Sequence, residues 1–343
     1  MSLTPITPVD ETVWAGRTDG SAPEHRRWHQ VANGQRSAQD NDSSGVGKQR
    51  FAIIGFASDE GVRRNRGRPG AAAAPDALRK ALAPMAVHAD FAMTDAGNVT
   101  VEDQDLEAGQ ENLADHLGPL LDQHQLTVVL GGGHETAWGS YLGRNRSVRL
   151  AEQRVGVLNL DAHFDLREAE KASSGTPFLQ MAQADQAAGR EFRYTVLGIS
   201  EPSNTRALFQ TAAALDVEYL TDEECSRQNL PRILQAVDRL VQGVDAVHLS
   251  VDLDVLPAAT APGVSAPAGY GVQLEVIHEI CRHVARSSKL VLVDIVELSP
   301  RFDIDQRTAR TAARLITTLA HEALASGAVA LDGHDSISSG DLA

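Results

Sequence analysis

The stretch VGVLNLDAHFDLR, residues 155–167, decides how the rest of the chain is read. Its first half is a continuous apolar run, the pattern of a strand buried on both faces. Its second half breaks into Asp161, His163, Asp165 and Arg167. In open α/β sheets, ligands bind beyond the carboxyl ends of the strands, so acids and an imidazole at that end mark a site. Working outward, the same switch recurs three times. LTVVL (126–130) runs into GGGHE and gives His134, AVHLSV (246–251) runs into DLD and gives Asp252 and Asp254, and KLVLVDIV (289–296) runs into Glu297. FAIIGFA (51–57) and YTVLGI (194–199) complete six strand candidates. Helical patterns fall at 75–83, 104–123, 204–215, 230–242, 273–285 and 306–325. Apolar strands separated by helices predict one three-layer α/β/α domain with a mostly parallel central sheet.

The charge balance narrows the partners. A net charge of −15 disfavours nucleic acid, which needs a basic surface, and equally an anionic membrane. No run approaches the length of a transmembrane helix, and the first residues carry no basic start followed by an apolar core. The only cysteines, Cys225 and Cys281, form no metal pattern, which fits a reducing compartment. The expectation is a cytoplasmic enzyme with a small-molecule substrate, assembled as a homo-oligomer. Residues 1–48 read as a polar arm and linker, with a loop over 35–48, and residues 49–343 as the main domain. Trp14 and Trp28 make 10–32 an arm packed onto that domain.

Spacing sharpens the chemistry. In extended chain, residues i, i+2 and i+4 point to one side. Asp161, His163 and Asp165 have that spacing, as do Asp252 and Asp254, so extended segments would aim them at one point. Four aspartates so close repel one another unless cations neutralise them. Oxygen-rich ligands with some imidazole suit Mn²⁺, with Zn²⁺, Fe²⁺ and Co²⁺ as alternatives. Two such ions ~3.5–4 Å apart can share and deprotonate one water. A single Asp or His at a strand end is ordinarily a turn former; four clusters at four strand ends are not explained that way. Glycines 131–133 lack the spacing of a nucleotide loop and read as a tight strand-to-helix turn. Likewise, RRNRGRPGAAAAPDALRKAL (63–82) reads first as a loop and a Pro-initiated helix, with Arg68 a candidate at the substrate edge. His88, His116, His124, His278, His283 and His321 read as surface or structural histidines, and His334 has no assigned role.

Four motifs in order, GGGHE (131–135), DAHFDLR (161–167), SVDLDVLPAATAPGVSAPAGYG (250–271) and DIVELSP (294–300), resemble the arginase–agmatinase superfamily over roughly 50–330. SSGTPFLQ (173–180), GISEPSNTRAL (198–208), WAGRTD (14–19) and RRWHQ (26–30) resemble its branch that hydrolyses the N-formimidoyl derivative of glutamate to glutamate and formamide in histidine breakdown. The resemblance implies a binuclear manganese hydrolase. One ion would be held by His134, Asp161, Asp165 and Asp252, the other by Asp161, His163, Asp252 and Asp254. Glu297 would face the amidine end of the substrate. Two positions depart from relatives. Ser174 stands where the agmatinase-like branch has a proposed proton-shuttling histidine, which leaves Asp165 or metal-bound water to protonate the leaving amine. Arg167 stands where arginases have an asparagine, and its guanidinium can grip a carboxylate through two bonds; the competing role for Arg167 is a surface ion pair. The alternatives are another amidine or guanidine hydrolase, such as an agmatinase or guanidinobutyrase, and a catalytically silent metal-binding protein on the same fold.

Overall fold

The computed structural model describes residues 6–32 and 49–325. The linker expected over 35–48 and His334 lie outside the described residues. Eight strands form one sheet: β1 (Gln49–Ala57), β2 (Phe91–Thr100), β3 (Leu126–Leu130), β4 (Val155–Leu160), β5 (Tyr194–Ile199), β6 (Glu218–Thr221), β7 (Ala246–Asp252) and β8 (Leu290–Val296). Their order is β2-β1-β3-β8-β7-β4-β5-β6, and every pairing is parallel. The helices are α1 (Trp28–Ala32), α2 (Glu60–Arg64), α3 (Ala74–Leu82), α4 (Leu106–Gln123), α5 (Thr136–Arg146), α6 (Pro177–Ala187), α7 (Arg206–Ala214), α8 (Leu230–Gly243), α9 (Leu274–Ala285) and α10 (Arg307–Ala325).

Both faces of the sheet are covered, because successive strand residues point to opposite sides and both sets are apolar. Ile53, Val128, Leu249 and Ile295 pack with α3, α8, α9 and α10. On the opposite face, Ile54, Phe56 and Val129 pack with α4, while Val157 and Val196 pack with α5, α6 and α7. The expected three-layer α/β/α architecture is therefore present.

Six elements lie outside the expected pattern: the five-residue helices α1 and α2, the strands β2 and β6, and the helices α5 and α6. β2 and β6 lie at the two sheet edges, where half-exposed backbone accepts polar residues such as Thr94, Asp95 and Glu218. α5 carries Gly139 and Gly143, poor helix formers that let it lie against Leu113 and Leu117 of α4. α6 starts at Pro177, within the SSGTPFLQ motif, where no helical pattern was expected.

Trp28 is fully buried, with ring centroids 5.5 Å from Phe51 and 5.6 Å from Phe91. The Trp14 indole N–H donates to Asp95 at 2.7 Å. Thr7 and Asn98 exchange two backbone hydrogen bonds of 2.9 Å, which pairs part of the otherwise open β2 edge. Among the described residues, no helix is long and apolar enough to cross a membrane.

Candidate active site

The four strands that carry the polar clusters are neighbours at the centre of the sheet, in the order β3-β8-β7-β4. Their carboxyl ends therefore open onto one place. After β3, Gly132 passes so close to Ser58 that a Cβ there would overlap the Ser58 carbonyl, so the turn demands glycine. That turn delivers His134 to the site, and Glu135 beside it accepts hydrogen bonds from the Ser58 hydroxyl and the Gly61 amide, each 2.9 Å.

His134 stands at the middle of the cluster. Its Nδ1 lies 3.0 Å from Asp161 Oδ2, 3.0 Å from Asp165 Oδ2 and 3.1 Å from Asp252 Oδ2. His163 Nδ1 lies 3.5 Å from Asp161 Oδ1 and 3.3 Å from Asp254 Oδ2. Two groups of ligand atoms are close enough to share an ion: His134, Asp161 and Asp165, and Asp161, His163 and Asp254. Asp161 belongs to both, and Asp252 stands beside the first. All six predicted ligands are thus gathered, four of the carboxylates are buried, and Glu297 is buried next to them.

The convergence does not come from extended chain. Asp161 Oδ1 accepts the His163 amide at 2.7 Å, and Asp252 Oδ1 accepts the Asp254 amide at 2.8 Å. Both segments are turns in which an aspartate folds the backbone two residues on around its own carboxylate. Asp165 then sits at φ +48° and Glu297 at φ +68°, in the left-handed region. Non-glycine residues held there cost free energy and collect at functional sites.

Neighbouring polar groups fix the ligands. His134 Nε2 pairs with Ser250 Oγ at 2.9 Å, which leaves Nδ1 facing the carboxylates. The Asn159 amide donates to Asp161 Oδ2 at 3.0 Å and to the Tyr194 hydroxyl at 3.0 Å. Asn159 and Ser250 each precede a ligand aspartate by two residues on a strand, so the same-face spacing could have revealed both. Glu135 carried no such signal.

Electrostatics bears on whether cations fit. Burial, then Asp254 and Asp161, pushes Asp252 well above the usual carboxylate range. Burial, then Glu135 and Asp254, does the same to Glu297. For Asp161 burial acts upward, but His134 and His163 outweigh it and hold the carboxyl below its ordinary value. Burial alone would lower both imidazoles; the facing aspartates instead raise His134 and His163 well above the usual range. Burial also lifts Glu135 to about 7. His134 Nδ1 and Asp254 Oδ1 are buried and make no directed hydrogen bond. A nitrogen facing three carboxylates while bonded to none is aimed at a shared point, and this donor set fits hard or borderline divalent ions.

Arg167 is half-buried. Its guanidinium donates to Asn65 Oδ1 at 2.8 Å, and no ion pair joins it to a carboxylate among the described residues. It lines a cavity of about 160 Å³ with Thr176 and Gln180. The Arg68 guanidinium donates to the Val264 and Ser265 carbonyls and stacks 4.2 Å from the Phe302 ring. A long cation beside two free carbonyls and an aromatic face ties loops together. His124 is a satisfied structural histidine, bonded at both ring nitrogens by Leu120 O and Thr94 Oγ1.

The arginase family model matches residues 49–321. The chain belongs to the arginase family. Within it, the chain is 54% identical over 304 residues to a formimidoylglutamase of Rhodococcus opacus (strain B4), covering 88% of this chain and 93% of the relative. The arginase fold recurs in the formimidoylglutamase structure from Bacillus subtilis, with a TM-score of 0.71 at 22% identity over 82% of this chain and 89% of that one. It recurs again in a Trypanosoma cruzi formiminoglutamase solved with Mn²⁺, with a TM-score of 0.70 at 24% identity over 80% and 93% of the two chains.

Proposed function

We propose that this arginase-family chain hydrolyses N-formimidoyl-L-glutamate to L-glutamate and formamide, using two manganese ions. The 54% identity to a formimidoylglutamase across nearly the whole of both chains supports the substrate. The Mn²⁺ in the Trypanosoma cruzi relative and the oxygen-rich ligand set support the metal. The observation that carries the reading is Arg167, a half-buried guanidinium without a carboxylate partner among the described residues, two positions past Asp165.

His134, Asp161, Asp165 and Asp252 would hold one ion, and Asp161, His163, Asp252 and Asp254 the other. When bound, the ions supply a strong nucleophile from water near neutral pH and offset the carboxylate charge. The chain's own groups do the positioning. One Glu297 oxygen accepts the His134 amide at 2.9 Å, and the other is left to orient the amidinium nitrogen. Arg167 receives a substrate carboxylate, which a protein of net charge −15 does not attract at long range. Water adds to the formimidoyl carbon, and the carbon–nitrogen bond to the glutamate nitrogen breaks. That nitrogen takes its proton from Asp165 or from water, since Ser174 offers no imidazole.

The test is a Mn²⁺-loaded assay against formimidoyl-glutamate, agmatine and 4-guanidinobutyrate, with Arg167→Ala alongside. Formimidoyl-glutamate is expected to be the preferred substrate. The variant should raise its KM by about 10- to 150-fold, the range for a charge-assisted bond. Preference for agmatine would move the assignment to another guanidine hydrolase. An unchanged KM in the variant would remove Arg167 from substrate binding.

A further inference from the structure

Arg167 and Ser174 are joined by a single side chain. Asn65 accepts from Arg167 Nη1 at 2.8 Å through Oδ1, and its amide nitrogen donates to Ser174 Oγ at 3.1 Å. The contacts cross 102 and 109 residues of sequence, so nothing in the local pattern announces them. Space has been left for the arrangement. A Cβ on Gly175 would lie 2.6 Å from Arg167 Nη1, and the Gly175 carbonyl accepts the Arg167 amide at 3.0 Å. Asn65 is itself fixed. It caps the end of α2, with its amide bonded to Gly61 O, and Glu135 holds Gly61 from the turn that carries His134. Arg64 adds a further tie to the 167–174 loop through the Ala172 carbonyl at 3.1 Å.

From this geometry we infer that Asn65 is a positioning residue: it orients Arg167 toward a substrate carboxylate, with Ser174 completing the support. The inference rests on the substrate reading above. A neutral amide is suited to the task. It fixes one guanidinium nitrogen without satisfying the positive charge, so the charge stays available to an anion. An aspartate at position 65 would consume it. A histidine in place of Ser174 would be too large to serve as the same support for the Asn65 amide.

The test is a double-mutant cycle on the Mn²⁺-loaded protein, read by KM for formimidoyl-glutamate and by calorimetric binding of L-glutamate. Asn65→Ala should raise KM by about 3- to 10-fold with kcat nearly unchanged, the effect of one neutral hydrogen bond. In the Arg167→Ala background the same substitution should change KM less than about twofold, because its effect passes through Arg167. The isosteric Asn65→Asp should be worse than Asn65→Ala, since it pairs with Arg167 and repels the substrate; a purely structural asparagine would tolerate aspartate better than alanine. Equal Asn65→Ala effects in both backgrounds, or Asn65→Asp near wild type, would overturn the inference. Absent turnover of formimidoyl-glutamate by the wild type would sink the substrate reading instead, and the glutamate-binding cycle would still decide Asn65. Failure of the wild type to bind L-glutamate would overturn the carboxylate seat itself.

Discussion

Glu297 Oε1 accepts the backbone N–H of His134 at 2.9 Å, so the carboxylate expected to orient the substrate is fastened to the residue at the centre of the candidate metal-ligand cluster. The tie is mutual, because the Glu297 amide donates to Gly132 O at 2.7 Å in the same turn. The pair spans the β3 and β8 ends and holds Glu297 at φ +68°.

Glu297→Gln keeps an acceptor for the His134 amide and removes the charge that the amidinium would meet. Turnover measured as kcat/KM is expected to fall by about 10- to 150-fold, with metal content unchanged. Near-normal kcat/KM would show that Glu297 does not face the substrate.

Ser250→Ala removes the partner of His134 Nε2 and frees the ring to rotate or change tautomer. Outer partners of this kind are worth about 10- to 100-fold in metal affinity. A Mn²⁺ titration should show that weakening. Unchanged affinity would mean that packing against Phe178, whose ring lies 5.2 Å from that of His134, suffices to orient it.

Metal removal should make stability pH-dependent. Asp252 and Glu297 have folded pKa values raised above their unfolded ones, so as pH rises past the unfolded values the unfolded state sheds protons that the folded state keeps, and folding loses stability. His134 and His163 are also raised, and their contribution, present below the unfolded imidazole value, is lost as pH rises through the folded one. Both effects run the same way between about pH 5 and pH 9. Chelated protein should melt at a lower temperature at about pH 8.5 than at about pH 6, and Mn²⁺ should flatten the difference. A melting temperature of the chelated protein that rises with pH would contradict the cluster's electrostatics.

Trp28→Ala should cost about 3–5 kcal/mol in urea unfolding, the range for emptying a buried aromatic site. Trp28 fills the space between Phe51 and Phe91 under the sheet edge. A loss below about 1 kcal/mol would mean that residues 6–32 are an appendage rather than part of the core.

The sequence alone determined the strands at the centre of the sheet, because a strand buried on both faces must be apolar along its whole length and then break sharply at its polar end. His134, Asp161, His163, Asp165, Asp252, Asp254 and Glu297 were legible for that reason, as residues stationed at four such breaks. The edge strands β2 and β6 were not, since backbone with one free edge tolerates Asp95 or Glu218 and loses the pattern. Only the tertiary structure decided that β3, β8, β7 and β4 are neighbours, which is what turns four strand ends into one cluster. It also replaced the expected extended segments by aspartate-centred turns, a choice made by hydrogen bonds between side chain and backbone that residue spacing does not encode. The contact between Asn65 and Arg167 belongs to the same class: loop residues a hundred positions apart meet because α2, which follows β1, and the 167–175 loop, which follows β4, both stand at the carboxyl ends of the strands. No local periodicity records such a meeting, since it depends on how the layers pack and not on which residues are adjacent in the chain.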